Sequence, residues 1–175
     1  MDNRPMYRHD EANVLKRAIR RSAGWKPLSL FYARTLHAID RAVFRVSRGR
    51  TTFTAWLAGL PVAWLTTTGA KSGAERTCPV VAIPAGDGKL VVIASNYGQQ
   101  HNPSWYHNLR AHPQARVDFD GERLEMVARE LDGEEREHWY ARGIEIYPGW
   151  VQYRKRAKRK IPVLELVTST AAGAS

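Results

Sequence analysis

Residues 62–95 read VAWLTTTGAKSGAERTCPVVAIPAGDGKLVVIAS. Three apolar, β-branched runs stand out in that stretch: Val62 to Thr68, Thr77 to Pro84 and Leu90 to Ser95. A loop of glycine, hydroxyl and cationic residues joins the first two. Asp87-Gly88 joins the last two, and both of its central positions tolerate the positive φ that a tight hairpin turn needs. Strands linked this way pair antiparallel, with no helical crossover between them.

The same pattern continues downstream. Asn102-Pro103 opens a helix through Trp105, Tyr106 and Leu109, with Asn as cap and proline tolerated in the first turn, and Pro113 bounds it. Ala115 to Phe119 and Arg123 to Leu131 flank a second turn, Asp120-Gly121. Asp132 with Glu135 three residues on reads as the cap of a helix that continues to about Ile146 and ends before Pro148. Ile161 to Val167 is a final strand. The order is β-β-β-α-β-β-α-β, without a βαβαβ rhythm or an internal repeat. The fold class is therefore α+β: a six-stranded, mainly antiparallel β-barrel with helices across its openings.

Upstream, residues 1–58 form a basic helical extension. Tyr32, Leu36, Ile39, Val43 and Val46 fall on one helical stripe, with arginines largely on other faces. Such a helix packs on its own domain or lies on anionic lipid, and packing is the commoner outcome. Residues 59–167 are the barrel domain, and residues 168–175 read as a disordered tail.

The 175 residues carry 27 Lys+Arg against 17 Asp+Glu, a net charge of +10. The excess is uneven: 12 cations against 4 anions in residues 1–58, but 7 against 8 in residues 59–132. This asymmetry points to an anionic partner. The near-neutral middle lacks a cationic face interleaved with aromatics, so a nucleic-acid-binding module is the weaker reading. Cys78 is the single cysteine, which excludes an internal disulfide and a cysteine zinc cage. His101, His107 and His112 show no ligand spacing, and no metal is expected. A reducing, cytoplasmic setting follows. The longest apolar stretch, Ala55 to Leu65, is interrupted by Gly59 and Pro61 and is too short to span a bilayer.

Three segments can carry chemistry. In Thr66 to Thr77, Gly69 and Gly73 allow backbone N–H groups to converge on an anion, and Lys71, Ser72 and Arg76 add donors suited to phosphate or carboxylate. It lacks P-loop spacing, and a solvated hairpin loop is the plain alternative. In Ala94 to Tyr106, Ser95 and Asn96 stand at a strand exit, while Trp105 and Tyr106 suit packing. In Ile146 to Tyr153, three aromatics flank a Pro-Gly bend and can line the mouth of a flat pocket. The basic run Arg154 to Lys160 that follows suits a solvated helix end or nucleic acid.

Taken in order, these segments resemble the deazaflavin (F420)-dependent nitroreductase family of split β-barrel flavin/deazaflavin oxidoreductases. The resemblance rests on Leu65 to Gly73 with Arg76, Ala94-Ser95, Asn102 to Leu109, His112-Pro113, Tyr147-Pro148 with Tyr153, and Arg159 to Val163. It implies an F420H2-dependent reductase passing hydride to a small-molecule electron acceptor: a quinone, nitroaromatic or activated enone. It also implies that Thr68, Lys71, Ser72, Gly73 and Arg76 hold the cofactor's anionic tail, that Ser95, Asn96 and Trp105 adjoin its ring, and that Tyr147, Trp150 and Tyr153 form the catalytic, acceptor-side wall. Ala70, Asn96 and Trp150 stand where the family commonly has arginine, lysine and tyrosine. FMN is the alternative cofactor, and cofactor binding without turnover the alternative role. A homodimer, and contact of the basic N-terminal helix with the inner face of the cell membrane, are further expectations.

Overall fold

A computed structural model describes residues 60–169; the expected extension over residues 1–58 and the expected 168–175 tail from residue 170 onward lie outside the described residues, while Thr168 is the last residue of a strand and not part of a tail. Six strands close a barrel: β1 (Val62–Thr68), β2 (Glu75–Gly86), β3 (Lys89–Ile93), β4 (Gln114–Phe119), β5 (Glu122–Glu130) and β6 (Val163–Thr168). Their order around the barrel is β1-β2-β3-β6-β5-β4, and every neighbouring pair is antiparallel. β2 serves two partners. Residues 75–81 pair with β1 and residues 82–86 with β3, with a register shift between Pro84 and Gly86. Such an irregularity lets one strand turn a barrel corner.

Alternate strand positions fill the interior, as the twofold side-chain period requires. Ala63, Leu65, Ala82, Val92, Val117, Met126 and Leu166 belong to this core. Helix α1 (Ser104–Ala111) contributes Tyr106 and Leu109 to the same cluster, so it plugs one end. The two turns fall where expected, with positive φ at Asp87 and Gly88 and at Asp120 and Gly121.

The helical content differs from expectation in two respects. α2 (Gly133–Ile146) has the predicted span, but a further helix follows it, α3 (Gly149–Ala157). The aromatic bend and much of the basic run are thus one helix. Nor do α2 and α3 lie across an opening. They cover the outer face of the sheet, where Tyr140, Ile146, Trp150, Tyr153 and Ala157 pack on Ile83, Val91, Ile93 and Val163.

Charge ties α2 to the barrel. Glu165, buried on β6, accepts from Arg129 at 3.0 Å, and Arg129 also grips Glu135 of α2 through two hydrogen bonds. Asp132 does occupy the cap position of α2, but its side chain pairs with Lys160 instead of closing the predicted capping box.

Candidate functional site

Strand direction places all three candidate segments together. β1, β3 and β5 end at one rim of the barrel, where β2, β4 and β6 begin. The opposite rim holds only the two tight turns among its connections. The long connections, 69–74, 94–113 and 131–162, therefore share a single end.

The first connection is small and braced. The Gly69 N–H donates to Ala74 O at 2.9 Å, and the Gly73 N–H donates to Gly69 O at 2.8 Å. A Cβ on Gly69 would stand 2.7 Å from Ser72 Oγ and 3.0 Å from Ala74 O, so the tight fold needs glycine there. The Ala74 N–H donates to Ser72 Oγ. The amide groups of Gly69, Gly73 and Ala74 are thus engaged within the loop. Gly73, read as a donor, shapes the backbone at φ +65° instead. The side chains of Lys71, Ser72 and Arg76 are exposed, and neither cation pairs with a carboxylate among the described residues. Thr68 closes β1 half-buried beside them.

Asn108, which the sequence reading gave no role, anchors this loop. From α1 its Oδ1 accepts the Ala70 N–H at 3.0 Å, while its Nδ2 donates to Thr67 Oγ1 at 2.9 Å. One buried amide therefore fixes the cationic loop to the helix that plugs the barrel.

The second connection leaves β3 through Ser95 and turns sharply at Asn96–Gly98, where three successive residues have positive φ. Gly98 has no room for a side chain, since its Cβ would meet Tyr153 Cα at 3.0 Å. Asn96 Nδ2 donates to His101 O at 3.1 Å. Asn102 does not cap α1; Pro103 stands at that position, and Asn102 Oδ1 accepts from Arg159. Trp105 is half-buried against the interior core.

The third connection supplies a dense aromatic cluster. Trp150 Nε1 donates to Ser95 Oγ at 3.1 Å, which joins α3 to the β3 exit. The Tyr147 and Tyr153 hydroxyls lie 2.9 Å apart. All three side chains are at most 6% exposed, so they form a packed wall and not an open mouth. Burial raises the pKa of both Tyr147 and Tyr153 above the usual phenol value, keeping both hydroxyls protonated at neutral pH. Gly143 makes room for this wall. A Cβ there would lie 2.6 Å from both Ile93 Cδ1 and the Trp150 ring.

A closed six-stranded antiparallel barrel with its long connections gathered at one rim is the split-barrel fold. The comparisons agree on the particular branch. The profile of the F420H(2)-dependent quinone reductase family matches residues 38–168, and the chain belongs to that family of oxidoreductases. It is 31% identical over 109 residues to the F420H(2)-dependent quinone reductase Rv1261c of Mycobacterium tuberculosis, covering 61% of this chain and 72% of that protein. Among solved structures, an F420-H2 dependent reductase superposes with a TM-score of 0.57 at 41% identity, covering 61% of this chain and 94% of that one. A domain-swapped dimer superposes with a TM-score of 0.59 at 37% identity, covering 73% and 95%. Among the described residues no helix is long and apolar enough to cross a membrane.

Proposed function

We propose that this chain reduces quinones with F420H2, binding the cofactor at the rim where the three long connections meet. The observation that carries the reading is the loop Gly69–Arg76. It is braced internally and pinned by Asn108, yet it leaves Lys71, Ser72 and Arg76 exposed, with no carboxylate paired to either cation among the described residues. Donors held in that way suit the phosphate and carboxylates of the deazaflavin tail.

When bound, the reduced deazaflavin supplies a hydride from C5, and a quinone that takes it up needs one proton to become the hydroquinone. Ser95, Asn96 and Trp105 would border the ring. Ser95 Oγ already accepts from Trp150, which leaves the Ser95 hydroxyl hydrogen as a directed donor. Tyr147 and Tyr153 would face the acceptor. One phenol donates to the other, and both are protonated donors of the kind that can hydrogen-bond a developing oxyanion or deliver the proton. Because both phenols stay protonated, turnover should lack a falling limb from them below about pH 10.

Nitroaromatics and activated enones fit the same requirement for an electron-poor acceptor. The family name favours F420 over FMN. By likeness to the domain-swapped structural neighbour, a dimer is the proposed assembly. Contact of the N-terminal extension with the membrane surface would place the enzyme beside lipid quinones.

The direct test mixes purified protein, F420H2 and a menadione-like quinone, and follows recovery of oxidised deazaflavin absorbance. Quinone-dependent oxidation well above the uncatalysed rate is expected. Oxidation at the buffer rate, with no change in deazaflavin fluorescence on adding protein, would refute the proposal.

A further inference from the structure

Arg159 sits in the run Arg154 to Lys160, whose composition suggests a solvated surface. Its side chain does something else. Nε donates to Gln99 O at 3.1 Å, while Nη2 reaches Ala94 O, Ser95 O and His101 O at 3.2, 3.3 and 3.1 Å. Nη1 donates to Asn102 Oδ1 and reaches the carbonyl of Lys160. Five acceptors on the 94–102 connection thus converge on one guanidinium, from a residue about sixty positions away. No carboxylate pairs with it among the described residues.

The segment it grips is the strained one. Asn96 has φ +46° and Tyr97 φ +55°, a left-handed conformation that side-chain-bearing residues adopt at a cost. Such conformations persist only where the surroundings over-determine them. Within the turn, the Gly98 N–H to Ser95 O and Gln99 N–H to Asn96 O bonds close the backbone.

We propose that Arg159 is a positioning residue that holds the strained Ala94–Asn102 connection in the shape presenting Ser95 and Asn96 to the cofactor. The cofactor half of this inference rests on the function proposed above; the locking half stands alone. The planar fork is essential. A lysine in its place keeps the positive charge but offers one ammonium, which cannot reach five separated oxygens. Burial disfavours the charged guanidinium and no carboxylate pairs with it among the described residues, so the carbonyl contacts are what retain it.

The test compares full-length wild type with Arg159→Lys, Arg159→Gln and, as a control from the same basic run, Arg154→Gln. Three quantities are read: the F420 dissociation constant by deazaflavin fluorescence, amide exchange at Gly98 and Gln99, and exchange in the β1 and β6 amides. Arg159→Lys is expected to weaken F420 binding about tenfold or more, nearly as much as Arg159→Gln, while Arg154→Gln changes it less than about twofold. Exchange at Gly98 and Gln99 should accelerate while the barrel amides stay protected. Wild-type affinity and wild-type exchange in Arg159→Lys would overturn the proposal and leave the functional reading standing. Accelerated loop exchange in Arg159→Lys, with a wild type that itself does not bind F420, would sustain the lock and defeat the functional reading. A variant whose barrel amides also lose protection would show that Arg159 supports the whole fold, which overturns the positioning role.

Discussion

The two rims of this barrel use the same backbone for opposite purposes. At one, Asp87-Gly88 and Asp120-Gly121 reverse the chain in two residues each, with positive φ at every position and nothing packed against Gly121. At the other, the chain is held by long-range bonds: Asn108 to Ala70, Arg159 to Ala94 through Asn102, and Trp150 to Ser95. The first rim is specified locally and holds strands in register. The second is specified by residues tens of positions apart, and it collects nearly every side chain with chemistry to offer. A substitution at the turn rim should therefore alter stability without touching binding. At the loop rim the order should reverse.

The sharpest break of that contrast is charge reversal of Lys71 and Arg76 together. Both side chains are exposed, and neither contributes to a hydrogen bond or ion pair of the barrel. Each charge-assisted contact to an anionic tail is worth up to about a tenfold change in affinity at a solvated site. The double reversal should weaken F420 binding by up to about a hundredfold, with the thermal midpoint nearly unmoved. An unchanged dissociation constant would remove the loop from the binding site.

Next in size is Gly143→Ala, which probes the wall behind the loops. The added Cβ would collide with Ile93 and with the Trp150 ring, and the ring cannot yield without disturbing its bond to Ser95. Overpacking of this kind costs about 1–3 kcal/mol. Thermal unfolding should show that loss, and turnover should fall beyond the stability effect because Ser95 loses its fixed partner. A fully active, fully stable variant would show that the wall adapts and that Trp150 is not held where it lies.

What was readable in the sequence divides along the same line. Strands and turns are short-range features: a twofold apolar period and Asp-Gly pairs sufficed to place six strands and both hairpins. The order of the motifs also identified the family. Helix α3 is masked in the sequence because the cations from Arg154 onward have the composition of a solvated run, while Trp150, Tyr153 and Ala157 recur at helical spacing and face the sheet. Asn102 and Asp132 stood where caps belong, but Arg159 and Lys160 claimed their oxygens. Those partners lie far along the chain, and no local pattern distinguishes Arg159 from its basic neighbours. Asn108 was unreadable for the same reason, since its two partners are 38 and 41 residues away.

The smallest effect tests the turn rim itself. Gly121 has φ +84° and open space around its missing Cβ, so alanine there introduces backbone strain and no collision. A non-glycine residue forced into that region costs about 1–2 kcal/mol. For a chain of this size that lowers the thermal midpoint by about 2–8 °C. Gly121 lies at the far rim from Lys71 and Ser95, with the filled interior and α1 between them, and the strain can relax outward into solvent. The F420 dissociation constant and quinone turnover should therefore equal those of the wild type below the melting range. If affinity fell together with stability, the interior would be transmitting strain from one rim to the other, and the two ends could no longer be treated as independent parts.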